Sequence, residues 1–123
     1  MSYMTDLKRA TGHGSAREGT RRHWSMTKSS VALLILTPFF VFTFGPMLGE
    51  PHAEVVAYFA RPFPAIIAAL FITVGFMHFK NGIQMVIEDY VHGMAREYAI
   101  ILTTCLSYGA AAVGLFAIAK IAL

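Results

Sequence analysis

The chain has 123 residues, 56% of them hydrophobic and only 14% charged, and its mean hydropathy is +0.57. Soluble domains are about one quarter charged, and a chain this short would bury only about 60 to 70% of its surface, so an ordinary soluble globule has nowhere to hide this much apolar material. The formal net charge of +3 raises nucleic acid as a partner, and the placement of the basic residues has to decide that question. Cys105 is the single cysteine, which excludes an internal disulfide and a cysteine-rich metal site.

Residues 1–28 form a polar segment. Its charged stretch is too long for a secretory signal, and no small-residue cleavage site follows the first apolar run, so it reads as a tail that stays on the protein. Three apolar stretches follow, each near the roughly 20 residues that a helix needs to cross a bilayer core. The first, residues 29–49, has no ionisable side chain and contains Pro38, an expected kink, and Pro46 near its end. The second, 62–88, stays uncharged from Pro62 through Phe79 and can continue as helix to about Ile87 or Tyr90. The third, 98–120, ends at Lys120.

The expected fold is therefore all-α, an integral membrane domain of three transmembrane helices over residues 29–123, with termini on opposite sides. Lys8, Arg9, Arg17, Arg21, Arg22 and Lys28 precede the first span, and Lys80 and Arg96 flank the loop on the same side; Arg61 and Lys120 lie opposite. Eight basic residues against two place the N-terminus in the cytoplasm. That asymmetry accounts for a pI near 9.2 without nucleic acid.

The third span is rich in small residues (Gly109, Ala110, Ala111, Ala112, Gly114, Ala117 and Ala119), and Ala110 with Gly114 has the spacing that lets two helix backbones approach. Close packing against a neighbouring helix explains it. Three short helices offer little surface for an independent activity, which favours one component of a larger assembly.

His78 stands out, because an imidazole inside an apolar span is costly and tends to mark a ligand, a proton path or a hydrogen bond to another helix. On a helix from Pro62 to Tyr90 it lies about 24 Å from the outer end and about 18 Å from the inner end, inside the hydrocarbon. Gly75 and Gly82 occupy the adjacent turns on its face. The bare backbone there suits either a flat macrocycle or close helix packing. A six-coordinate haem needs two axial ligands and this chain offers one within a span, so the other would have to come from a partner.

A second constellation, Glu88, Asp89 and Tyr90 followed by His92, sits at the cytoplasmic end of the second span. Asp89 shares a face with His78 about 16 Å further along the axis. A tyrosine hydroxyl can donate to a quinone carbonyl, and a neighbouring carboxylate can orient it or return its proton. The aromatic belt and the charged residues that cluster at helix ends explain the same residues structurally. Ahead of the first span, His23 and Trp24 fit an interfacial anchor, while Arg21, Arg22 and Lys28 fit orientation signals, or one of these cations neutralises a buried anion. His13 and His52 lie in polar segments and carry no assigned role.

The run from His78 to Val91, HFKNGIQMVIEDYV, resembles the H-x3-G-x6-D-Y signature of the hydrophobic membrane anchors of succinate dehydrogenase, respiratory complex II, and GSAREGTRRHW before the first span looks like the alphaproteobacterial and mitochondrial-type members. The resemblance extends over nearly the whole chain. It implies pairing with a second three-helix anchor, the cytochrome b anchor protein, and attachment of the flavoprotein and the iron-sulfur protein at the cytoplasmic face of the bacterial inner membrane. By matching position, His78 would be one axial ligand of haem b, shared with the cytochrome b anchor; Tyr90 would hydrogen-bond ubiquinone and Asp89 would support it. Lys28 stands where the family often has an arginine near the haem propionates and the quinone pocket, which keeps the charge and loses the bidentate fork. The resemblance implies part of an enzyme, with no succinate-oxidising machinery of its own. The competing readings are a haem-poor fumarate reductase-type anchor and a small membrane transporter or assembly protein in which His78 relays protons or packs.

Overall fold

The structure, a computed structural model, describes residues 4–12 and 18–123, with side chains for all of these except residues 18 and 19. Arg17 and His13 lie outside the described residues, so the basic tail is described only in part. Among the described residues the chain is helical with no strand: α1 (Asp6–Thr11), α2 (Glu18–Phe44), a 3-10 turn (Gly45–Met47), α3 (His52–Phe59), α4 (Pro62–Tyr90) and α5 (Gly93–Ala122).

Three of these helices, over Thr20–Met47, Pro62–Tyr90 and Gly93–Ala122, are long and apolar enough to cross a membrane. The first helix begins at Glu18, well before the uncharged run at Ser29, so Arg21, Arg22 and Lys28 are helical residues. It continues through Pro38 and gives way at Gly45 and Pro46 to the 3-10 turn. Between the first two spans α3 adds a short helix where the sequence carries no long apolar run. Pro62 opens α4 at its first position, where the missing N–H would lack a partner anyway.

The reversal between α4 and α5 uses two extended residues, Val91 and His92, followed by Gly93 at φ +66°, a left-handed conformation that costs glycine little. That turn sets α4 and α5 side by side. The central helix is α4, which packs against both α2 and α5. Against α5, the small surface of Gly114 receives Ile72: a Cβ there would lie 3.2 Å from Ile72 Cδ1 and 3.3 Å from Cγ2. Gly114 therefore lets α5 approach α4, in line with its small-residue spacing. At the other end an aromatic cluster joins the elements. Phe40 stacks on Phe71 with centroids 4.2 Å apart and on Phe44 at 5.1 Å, while Phe44 meets buried Phe59 of α3 at 6.1 Å.

The enclosed apolar core is small: Phe59, Ala65, Ile67, Ala68 and Ile87. Leu34, Phe42, Leu102, Leu106, Val113 and Phe116 are exposed along the spans. A soluble chain could not tolerate that surface, whereas lipid tails or apolar partner helices match it.

Candidate functional site

The site grows from a polar seam between α2 and α4. In an apolar layer each polar side chain on one helix needs a partner on the next, because unmatched polar groups are expensive there. Arg22, Ser25 and Ser29 recur at i, i+3 and i+7 along α2 and so share one face. They face Glu88, Asn81 and His78 of α4 in reverse chain order, as antiparallel neighbours should.

Ser29 Oγ lies 2.9 Å from His78 Nδ1. One turn nearer the α4 C-terminus, Asn81 Nδ2 donates to Ser25 Oγ at 3.1 Å. Near that C-terminus, Arg22 Nη1 pairs with Glu88 Oε2, while Gln84 Nε2 donates to the other carboxylate oxygen at 2.9 Å. The seam thus satisfies its buried polar groups: no buried side-chain nitrogen or oxygen among the described residues lacks a partner.

His78 is half-buried. Its Nδ1 is held by Ser29, and Nε2 makes no hydrogen bond among the described residues yet is not enclosed. The two glycines beside it differ. Gly82 lies under α2, with Met26 Cε 3.7 Å from the position of a Cβ, while nothing lies within 4 Å of that position at Gly75. Gly75 opens into an apolar groove of about 380 Å³ lined by Phe40, Phe71, Ile72, Phe76 and Phe79. Helix packing accounts for Gly82, and Gly75 remains open to a flat apolar group. The donor set is one imidazole with an open Nε2 beside an uncovered stretch of backbone, which suits one axial position of a haem. Among the described residues no group of three metal-ligating side chains assembles, and His23, His52 and His92 are exposed.

Lys28 is exposed on α2 and lines two clefts that share Ser25 and Asn81 of the seam. One, about 430 Å³, is lined by Arg21, Arg22, Ser25, Lys28, Lys80, Asn81 and Gln84 and has four cationic side chains with no acidic one. The other, about 240 Å³, runs from Ser25, Lys28 and Ser29 to Ala32, Val74, Met77 and Asn81. Lys80 also places its Nζ 5.8 Å from the ring centre of Tyr108 on α5. A cationic rim next to the Ser25–Asn81 bond of the seam suits a ligand with anionic substituents.

Asp89 and Tyr90 occupy the last turn of α4, both exposed, Tyr90 by 80%. Neither makes a hydrogen bond or ion pair among the described residues. They are not gathered with His78: about 18 Å of helix separates Tyr90 from it. The chain thus presents two separate candidate groups along one helix, an imidazole in mid-span and a phenol with a carboxylate at the end. Hydropathy alone passes over Ser25, Ser29, Asn81 and Gln84; the signal that finds them is the i, i+3, i+7 spacing of polar residues continuing upstream of the uncharged run.

Residues 1–118 match the family described as succinate dehydrogenase/fumarate reductase transmembrane subunit. The succinate dehydrogenase hydrophobic membrane anchor subunit of Paracoccus denitrificans is 44% identical over 123 residues, covering 100% of this chain and 95% of that protein. No solved structure matches.

Proposed function

Since the chain belongs to the succinate dehydrogenase/fumarate reductase transmembrane subunit family, we propose that it is the three-helix anchor of a succinate:ubiquinone oxidoreductase that contributes one axial haem b ligand and part of the quinone-reduction site. The observation that carries the haem half of this reading is the oriented imidazole: His78 Nδ1 is tied to α2, Nε2 is open, and Gly75 leaves bare backbone one turn away. The second histidine would come from the partner anchor, the cytochrome b protein. When bound, haem b supplies a one-electron carrier inside the membrane. Lys28, on the rim of the cationic cleft, would meet a propionate carboxylate.

Tyr90 donates its hydroxyl proton to a carbonyl oxygen of ubiquinone, and Asp89 beside it orients that donor or returns its proton. Their exposure in the isolated chain fits a pocket whose remaining walls come from partners. The excess of basic residues on the side of the α4–α5 turn supports a cytoplasmic location for that pocket, where the iron-sulfur protein would dock and deliver electrons. The flavoprotein, which oxidises succinate, is attached through it.

A transmembrane proton relay through His78 fits less well. The polar seam leads from His78 only toward Glu88; in the other direction Phe71, Ile72 and Phe76 of α4 line an apolar groove. The quinone role is tested by Tyr90→Phe in the purified complex. Reduction of ubiquinone falls while succinate oxidation by an artificial acceptor is retained; equal loss of both activities would mean faulty assembly and refute the role.

A further inference from the structure

We propose that Ser29 is a positioning residue for His78: it holds the imidazole as the Nδ1–H tautomer, so that Nε2 turns an unprotonated lone pair toward the iron. The inference rests on the assignment of His78 as an axial ligand and adds to it the group that sets the ligand's proton and orientation.

A serine hydroxyl has one proton and two lone pairs. Ser29 Oγ lies 3.0 Å from the carbonyl oxygen of Ser25 and 2.9 Å from that of Met26, and carbonyl oxygens only accept. With its proton on either carbonyl, the usual arrangement for serine inside an apolar helix, the hydroxyl is bonded to the backbone of α2. What Ser29 turns toward His78 Nδ1, 2.9 Å away, is a lone pair. In that arrangement the ring nitrogen is the donor. A neutral imidazole carries one ring proton, so Nε2 is left bare, the form in which histidine binds metal. Consistent with this, Nε2 has no hydrogen bond among the described residues and is not enclosed.

The arrangement also fixes where the ring points. His78 is on α4 and its anchor on α2, and the neighbouring Asn81–Ser25 bond at 3.1 Å holds the same two helices one turn away. The ligand's orientation thus depends on how α2 packs on α4, whereas a histidine anchored to its own helix would be indifferent to it. A hydrogen bond from Nδ1–H to an acceptor adds electron density to the ligand, which favours ferric over ferrous iron and lowers the reduction potential.

The experiment uses the purified complex with Ser29→Ala, Ser29→Thr and His78→Ala prepared in parallel. Three readouts are taken: the haem midpoint potential, the electron paramagnetic resonance spectrum of the oxidised haem, and the rate of haem loss to an apo-haem acceptor protein. Ser29→Ala is expected to shift the potential to a more positive value, change the resonance spectrum as the ring reorients, and speed haem loss about 10-fold or more. Ser29→Thr, which keeps the hydroxyl, should restore all three toward wild type. Should Ser29→Ala fail to assemble, Ser29→Cys, similar in shape but a weak acceptor, carries the same expectations. An unchanged potential and spectrum in the Ser29 variant, with the b-type signal lost in His78→Ala, overturns the positioning role and leaves the ligand assignment standing. A b-type signal that survives His78→Ala overturns both.

Discussion

Replacing Glu88 with Gln, or Arg22 with Gln, removes one charge from the pair that ties the start of α2 to the end of α4. Glu88 accepts from two sides, from Arg22 Nη1 and from Gln84 Nε2, and the side chains of Glu88 and Arg22 are 29% and 41% exposed respectively. Fully exposed ion pairs contribute about 0.2 to 1 kcal/mol, and hydrogen bonds to desolvated charges about 1.5 to 3. With about a third of the pair still open to solvent, its coupling should lie near the top of the exposed range, about 1 kcal/mol, or roughly fivefold in an equilibrium. The assay compares four forms of the assembled complex, wild type, Arg22→Gln, Glu88→Gln and the double variant, by thermal denaturation. Each single variant leaves its partner unmatched and loses stability, and the double variant loses no more than the worse single. Because Glu88 precedes Asp89 and Tyr90 on the same turn, quinone reduction should fall in the same order while artificial-acceptor activity holds. Strict additivity of the two single losses, within about 0.3 to 0.5 kcal/mol, would show that the residues do not act as a pair and refute the reasoning.

At Gly114, alanine gains up to about 1 kcal/mol of helix propensity but brings Cβ within 3.2 Å of Ile72 Cδ1 and 3.3 Å of its Cγ2, and the few tenths of an ångström by which Ile72 must give offset that gain, so Gly114→Ala should denature close to wild type. Gly114→Leu has no such escape and should cost about 1 to 3 kcal/mol, partly recovered by Ile72→Ala; a leucine without effect would mean that α4 and α5 do not meet here. For topology, in a Cys105→Ser background a cysteine at Leu7 should react with an impermeant maleimide only from the cytoplasmic side, and one at Leu123 only from the other. Labelling of both from one side would overturn the three-span arrangement.

The spans were legible because about 20 uncharged residues in a row admit few alternatives. Helix continuity was less legible, because hydropathy reports depth in the bilayer and says nothing about whether a polar stretch is helical. The first long apolar helix, α2, is therefore already helical at Glu18, ahead of its apolar run, and α3 forms in a connection that carries no span signal. The same blind spot hid Ser25 and Ser29: serine is nearly neutral in hydropathy, and only its helical spacing to Arg22 shows that it faces α4. Gly75 and Gly82 look equivalent by spacing, and only the position of Met26 separates the packed one from the open one. For His78, Asp89, Tyr90 and Lys28, residue type and register suggest the chemistry. In the proposed complex their sites would be completed by groups this chain does not carry, so no single-chain reading assembles them.

The central claim is that this anchor holds half of a haem through His78. The most direct test is the reduced-minus-oxidised absorption spectrum of the purified complex with and without His78→Ala, normalised to flavin so that the amount of complex is controlled. The account predicts a b-type signal in the wild type that is abolished or converted to a perturbed, five-coordinate form in the variant. A wild-type complex without that signal, or a variant spectrum identical to the parent, would contradict it.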